Sequence, residues 1–334
     1  MEIRELGKTN MFVNRIGLGG IPIQRTTQEK VNEMIDYLHK NNLNFIDTAR
    51  GYTCSEEYIG NALIGKRDKF FIATKSMSRT YEEMLRDIKI SLNNLKTTYI
   101  DLYQLHNLKS SEEFDIVMSD NGAYKALLEA KEKGLIKHIG ITSHSYDFLD
   151  GIIETNLFET IQFPYNIVEN KSSSLFKKAK ELGIGTICMK PLAGGAIDNA
   201  KVAIKYLLND PNVDVVIPGM GSIEEAKVNS TVTSGEYSRE EKDYIQRIKE
   251  ELDGNFCRRC GYCAPCSKGI DIPNCFVFFG YHERYNLQKW AKDRYESLKA
   301  HASDCIECGK CIKKCPYGID IPNELKKVKE VFGK

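Results

Sequence analysis

Tyr99-Ile100-Asp101-Leu102-Tyr103-Gln104-Leu105-His106 is a mostly apolar run that closes on a polar residue, and its surroundings decide the fold. On its N-terminal side, Tyr81, Met84, Leu85 and Ile88, with Leu92 and Leu95 beyond, keep the i, i+3, i+4, i+7 spacing of a helix with one buried face. Before that helix stands another apolar run, 70–75, and the alternation continues outward in both directions. Runs at 15–19, 44–48, 136–141, 160–165, 184–189 and 213–218 complete a set of eight candidate strands, and Val31, Met34, Ile35 and Leu38 mark a further amphipathic helix. Eight strand-helix alternations within about 230 residues predict an α/β fold, a (β/α)8 TIM barrel, over an open doubly wound sheet. Gly17-Leu18-Gly19-Gly20-Ile21-Pro22 looks briefly like a dinucleotide fingerprint, but Pro22 stands where the third glycine is required, and that reading is rejected. Ahead of the first strand, the turn residues Gly7-Lys8-Thr9-Asn10 predict an N-terminal hairpin covering the barrel bottom.

The 334 residues suffice for a large domain plus a small one. Lys plus Arg number 47 and Asp plus Glu 46, so no global field favours nucleic acid or an anionic membrane as partner. Neither an apolar signal run at the start nor a membrane-length apolar stretch is visible. Nine of the eleven cysteines fall after residue 256, in runs spaced for metal rather than for disulfides, which points to a reducing cytoplasm.

In a barrel the active face is built from the C-terminal ends of the strands and the loops that follow. Asp47 closes the second strand, Tyr52 lies in the next loop, Lys75 closes the third strand and His106 the fourth. Carbonyl reduction needs a proton donor at the oxygen that becomes alkoxide as hydride arrives at carbon. A free phenol, with a pKa near 10, is a poor acid-base at neutral pH unless a nearby ammonium stabilises the phenolate. Tyr52 and Lys75 fit those roles, with Asp47 keeping Lys75 charged and oriented. His106 can donate a hydrogen bond to the substrate oxygen. Cys54, two residues beyond Tyr52, reads as a loop thiol and Cys188 as a core residue.

At these residues the chain resembles the aldo/keto reductase family: Phe45-Ile46-Asp47-Thr48-Ala49-Arg50-Gly51-Tyr52, then Ala73-Thr74-Lys75, then Leu105-His106-Asn107. Arg4-Glu5-Leu6-Gly7-Lys8-Thr9, Gln162-Phe163-Pro164-Tyr165-Asn166, Met189-Lys190-Pro191-Leu192 and Ile217-Pro218-Gly219 extend the likeness over roughly residues 1–230. The resemblance implies the catalytic set Asp47, Tyr52, Lys75 and His106 and a nicotinamide cofactor, NADPH or NADH, extended across the barrel mouth. It places Asp47, Thr142, Ser143, Gln162 and Met189 at the cofactor's nicotinamide end and Lys190, Leu192 and Gly194 along the pyrophosphate, with Gly19 as a further cofactor contact. At the adenosine end it implies Pro218, Gly219, Ser222, Glu225 and Asn229. Glu225 could accept from a ribose hydroxyl and repel a 2′-phosphate, or it could be a solvated first-turn residue of a helix. Lys227 pulls the other way, so NADH and NADPH both stay open.

Ser238-Arg239-Glu240-Glu241 reads as a capping box that opens a helix ending near Leu252 and closing the barrel domain, assigned to 1–252. Then come Cys257, Cys260, Cys263 and Cys266, and later Cys305, Cys308, Cys311 and Cys315-Pro316, the second run matching the bacterial ferredoxin spacing. The first run ends one residue early. Gly269-Ile270-Asp271-Ile272-Pro273-Asn274 recurs as Gly318-Ile319-Asp320-Ile321-Pro322-Asn323, each copy starting three residues after the fourth cysteine of its run. Residues 253–334 are therefore a duplication with one deletion, a small helical, ferredoxin-like domain for two [4Fe-4S] clusters. Because the fourth cysteine of each run serves the other cluster in two-cluster ferredoxins, the expected ligands are Cys257, Cys260, Cys263 and Cys315 for one and Cys305, Cys308, Cys311 and Cys266 for the other. Paired C-x2-C also suits zinc, although four closely spaced cysteines exceed what a zinc finger needs. Cys275 is left as a non-ligand, and the aromatic stretch 276–298 reads as helices packing on the clusters.

The function expected is nicotinamide-dependent reduction of an aldehyde or ketone to an alcohol, or the reverse, with accessory clusters. The alternative is a ferredoxin-coupled electron-transfer enzyme whose clusters take part in turnover, against which stands the absence of a flavin motif to join one-electron and hydride chemistry. Expected partners are a small carbonyl or alcohol substrate and a ferredoxin or other redox protein.

Overall fold

A computed structural model describes residues 2–169, 171–252, 256–258, 261–284 and 288–334. Two compact units divide the chain: Met1–Leu192 with Asn199–Lys249, and Ala193–Asp198 with Glu250–Lys334.

The first unit opens with the hairpin β1 (Ile3–Glu5) and β2 (Phe12–Asn14), antiparallel, turning through Gly7. The barrel strands are β3 (Leu18–Gly19), β4 (Phe45–Asp47), β5 (Phe71–Ser76), β6 (Ile100–Leu105), β7 (Ile136–Thr142), β8 (Thr160–Pro164), β9 (Gly185–Met189) and β10 (Val215–Val216). They form one parallel sheet in sequence order, and bridges from Ile16 to Val216 and from Gly19 to Gly219 close it on itself. Around it run α1 (Gln28–Lys40), α2 (Ser55–Ala62), α3 (Tyr81–Asn94), α4 (Ser111–Met118), α5 (Ala123–Glu132), α6 (Tyr146–Ile152), α7 (Ser172–Glu181), α8 (Ala200–Leu208), α9 (Ile223–Ser230) and α10 (Arg239–Leu252). The eight expected runs are all strands, but the first and last are shorter than 15–19 and 213–218, because the seam between them pairs through isolated bridges. A Cβ at Gly19 would lie 2.7 Å from the Ile217 carbonyl oxygen, so that seam tolerates only glycine there.

Strand period decides where the chemistry can sit. Successive side chains alternate faces, so Ile46, Ile72, Tyr103 and Cys188 meet the helices, whereas Phe45, Ala73, Leu102, Ile187 and Val215 fill the barrel interior. Asp47, Lys75 and Gln104 are two residues further along on the same inner face. Leu6, Met11 and Val13 of the hairpin join the interior cluster from below. Gly7, in the left-handed region at φ 61, packs so closely on the start of β9 that a Cβ there would be 2.3 Å from the Gly185 nitrogen.

Helix α10 carries the expected capping box in full: Glu241 N–H donates to Ser238 Oγ at 3.2 Å and Ser238 N–H to Glu241 Oε2 at 2.9 Å. The C-terminal unit is helical, with α11 (Ile272–Arg284), α12 (Gln288–Glu296), α13 (Lys310–Lys314) and α14 (Ile321–Phe332). Each copy of the Gly-Ile-Asp-Ile-Pro-Asn repeat begins a helix in the same way. Asp271 accepts from the Asn274 N–H at 3.2 Å and Asp320 from the Asn323 N–H at 3.3 Å, while Ile270, Ile272, Ile319 and Ile321 are all buried in one core.

Substituting Gly7→Ala forces a side chain into left-handed backbone against immobile main chain, and the barrel is expected to lose at least about 2 kcal/mol. The midpoint of barrel unfolding in urea, followed by circular dichroism, checks it; an unchanged midpoint would show that the hairpin can lift away at no cost.

Candidate active site

Three adjacent strands and one loop bring the four predicted residues together at the C-terminal edge of the barrel. Asp47 pairs with Ala73 across β4 and β5, and Lys75 with Gln104 across β5 and β6. Lys75 Nζ donates to Asp47 Oδ2 at 2.6 Å and to the Thr48 carbonyl at 2.7 Å, with both side chains nearly inaccessible. Gln104 Nε2 donates to the other Asp47 oxygen at 3.3 Å. Tyr52, in the turn after β4, lays its ring 5.3 Å from Lys75 Nζ and meets the His106 ring edge-on at 6.1 Å between centroids.

Burial works against both charges, pushing the Asp47 carboxyl up and the Lys75 ammonium down, and their mutual attraction opposes each shift. Removing either partner would strand the other as an uncompensated buried charge, which costs on the order of 3–5 kcal/mol. Burial, reinforced by Lys75, Arg79 and Lys190, holds His106 well below its ordinary value. The imidazole is therefore neutral at pH 7, and its Nδ1 is buried without a hydrogen-bond partner among the described residues.

Several residues of this site escaped the sequence reading. Gln104 stands two before His106, on the same face by strand period, and that spacing was the available signal. Arg79 Nη2 donates to the carbonyls of His106 (3.0 Å) and Asn107 (3.2 Å), fixing a backbone that turns left-handed at Asn107, φ 54. Glu56 is buried behind Lys75, accepting from Thr74 Oγ1 at 2.8 Å and Ser91 Oγ at 2.7 Å. No spacing rule leads from Tyr52 to either of these.

The expected cofactor residues fall into different situations. Gln162 on β8 keeps its buried Oε1 without a partner among the described residues, and Met189 closes the neighbouring β9. Thr142 Oγ1 accepts from the Asn107 N–H at 2.8 Å, and Ser143 Oγ donates to the Leu108 carbonyl at 2.6 Å, so both brace the strand-end loops. Lys190 follows β9 in left-handed backbone, φ 57, with Leu192 just beyond. Gly19 is bound into the barrel seam with Pro218 and Gly219. Ser222 caps α9 by accepting from the Glu225 N–H, and Glu225 Oε2 accepts from the Gly221 N–H at 2.6 Å, which gives that carboxylate a capping role in addition to any ligand role. Asn229 is buried within α9. Gly194, φ 69, groups with the C-terminal unit, where a Cβ would lie 2.3 Å from the Arg258 carbonyl oxygen.

Within the C-terminal unit the cysteines line two cavities. One, about 320 Å3 of open space, is bordered by Cys257, Cys263 and Cys315 with Ile272, Ile319 and Ile321. The other, about 410 Å3, is bordered by Cys266, Cys305, Cys308 and Cys311, and Cys263 borders both. Cys266 thus shares a cavity with cysteines of the second run, 39 or more positions away, and Cys315 shares one with cysteines of the first. Cys260 lies outside the described residues. Cys54 is half-buried in its loop and Cys188 is buried in the barrel core. The Cys275 thiol is fully buried, its pKa pushed up to about 12 by that burial, and it is not among the residues bordering either cavity.

Residues 15–203 match the aldo/keto reductase family model, and residues 256–320 match a 4Fe-4S dicluster domain. The chain is 31% identical over 220 residues to the aldo-keto reductase YhdN of Bacillus subtilis, an alignment covering 59% of this chain and 64% of that protein. It is 22% identical over 305 residues to L-galactose dehydrogenase of Arabidopsis thaliana, covering 76% and 95%. The holo form of an aldo-keto reductase from Bacillus halodurans superposes with a TM-score of 0.64 at 24% identity, over 74% of this chain and 96% of that one, and shares the barrel fold.

Two imidazoles set the acid behaviour of this site. Burial keeps His144 as well as His106 well below 6.5, with Lys190, His106 and Lys109 adding to it for His144. The unfolded chain binds those protons and the folded chain does not, so stability present above pH 6.5 is lost as pH falls below it. Urea unfolding between pH 7 and 5.5 is expected to show uptake of about two protons per chain, reduced to about one in His106→Asn. A midpoint insensitive to pH in that window would mean that the folded imidazoles are already charged.

Proposed function

The chain belongs to the aldo/keto reductase family of oxidoreductases, and from that premise we propose that residues 1–252 interconvert a carbonyl compound and its alcohol by hydride transfer with NAD(P)H. The observation that carries the reading is the buried Asp47–Lys75 pair with its ammonium against the Tyr52 ring and neutral His106 at that ring's edge. Two buried polar atoms support a bound pair of ligands here, since Gln162 Oε1 suits the carboxamide of a nicotinamide and His106 a substrate oxygen. When bound, the nicotinamide supplies or accepts the hydride.

The remaining chemistry belongs to the protein. Tyr52 gives its hydroxyl proton to the oxygen that gains charge. Lys75 makes the resulting phenolate less costly, and because burial already depresses its own pKa it can follow that proton without a large barrier. Asp47, held by Gln104, keeps the ammonium aimed. A neutral His106 can hold the carbonyl oxygen by a hydrogen bond without competing as an acid. The relative named a dehydrogenase of L-galactose makes aldoses and other hydroxylated carbonyls the first compounds to assay. Glu225 is compatible with either nucleotide, since its carboxylate is already engaged in capping.

For residues 253–334 the reading is two [4Fe-4S] clusters, one on Cys257, Cys260, Cys263 and Cys315 and the other on Cys266, Cys305, Cys308 and Cys311, supported by the two shared cavities. Such clusters would supply one-electron redox chemistry, accessory to hydride transfer, in a cytoplasmic setting where thiols stay reduced. Among the described residues no helix is long and apolar enough to cross a membrane.

Tyr52→Phe is expected to lower kcat by 100-fold or more, on the order of the acid-base contribution, while nucleotide binding measured by fluorescence stays intact. Retained turnover, or loss of binding along with it, would reject the acid-base role. Anaerobically purified protein is expected to hold about eight irons with broad absorption near 400 nm, and Cys315→Ser to lose about half of the iron. Four irons in the parent protein would leave room for one cluster only.

A further inference from the structure

The two cysteine cavities differ in a way the repeat does not explain. Buried isoleucines line both cavities, and Cys263 and Ile272 border each; at the first no described cysteine is exposed. At the second, Cys308 is exposed to solvent. The charged residues bordering that second cavity are Lys268 and Lys310, both exposed, and the exposed Lys313 follows on the same short helix, α13. Glu307, in the same loop, is drawn to Lys326 at 2.9 Å. Ile306, 58% exposed, and the exposed Pro265 border the same cavity.

An apolar patch bordered by one sign of charge is how transient electron-transfer partners are steered and oriented, and here exposed lysines border the same cavity as the exposed Cys308. We propose that the face formed by Ile306, Cys308, Lys268, Lys310 and Lys313 docks a small acidic one-electron carrier protein. This rests on reading Cys266, Cys305, Cys308 and Cys311 as ligands of a [4Fe-4S] cluster. One electron leaves the carrier and enters this protein, or the reverse; no bond forms and no proton moves. Exchange uses the Cys308 side because the first cavity presents no exposed cysteine among the described residues.

The probe is a plant-type [2Fe-2S] ferredoxin, an acidic carrier, with the full-length, cluster-loaded protein. Calorimetry of the two oxidised proteins and stopped-flow absorbance after mixing reduced carrier with oxidised protein give affinity and association rate. Both are expected to fall tenfold or more between about 20 mM and about 300 mM salt. The double reversal Lys310→Glu with Lys313→Glu is expected to slow association about tenfold at low salt, whereas Lys289→Glu, an exposed lysine on α12, leaves it unchanged. Insensitivity to salt, equal loss in Lys289→Glu, preference for a basic carrier, or burial of this face by self-association in sedimentation would each overturn the docking proposal alone. Protein lacking iron and the 400 nm band would sink the ligand reading and the docking proposal with it.

Discussion

A lysine ammonium and an aspartate carboxylate lie 2.6 Å apart inside a barrel that excludes water from both. Neither charge is tolerable alone at that depth, so the pair dictates what surrounds it. The Thr48 carbonyl takes a second Lys75 proton, Gln104 takes the second Asp47 oxygen, and Glu56 accepts from Thr74 beside the lysine. Gln104 comes from β6 and Glu56 from α2, so the pair and its partners assemble only when β4, β5 and β6 are in register. A one-residue slip would turn Lys75 outward among the helices. The same interaction that would prepare Tyr52 for proton transfer thus also reports that the sheet has closed correctly.

Closure itself depends on places where no side chain fits. Gly19 at the seam and Gly7 under β9 let main chain approach main chain, and Leu6, Met11 and Val13 then plug the interior from the bottom. With apolar residues below and the ion pair above, the interior is graded from dry to polar along the strand direction. Burial, with Lys75, Arg79 and Lys190 nearby, depresses the His106 pKa and keeps it a neutral hydrogen-bonding group.

The C-terminal unit is organised by a different means. Its apolar core is small, built around four isoleucines of the repeat with Leu325, Val328, Phe332 and Tyr295, and the cysteines pack at its margin. Duplication explains why both halves start a helix with an aspartate cap followed by proline. It does not explain why Cys308 meets solvent while no described cysteine at the other cavity is exposed.

How much of this was legible in the sequence depended on the distance over which each constraint acts. Strand period, helical spacing, the Ser238 capping box and the cysteine repeat are local, and each was readable; so were Asp47, Lys75 and His106, because a strand end is identifiable from its own run. Gln104 was readable in principle from its spacing to His106. Arg79, Asn107 and Glu56 were not, since an arginine clamp on two carbonyls or a carboxylate behind a lysine exists only once separate elements are packed. The capping engagement of Glu225 likewise became visible only with the turn at Gly221 in place. By itself the sequence determined the barrel alternation, the polar residues at the strand ends and the duplicated cysteine framework, because periodicity and spacing are properties of the chain. Tertiary structure alone decided the protonation of the buried groups, which cysteines share a cavity and which of them meets solvent, because desolvation and convergence are properties of packed surfaces.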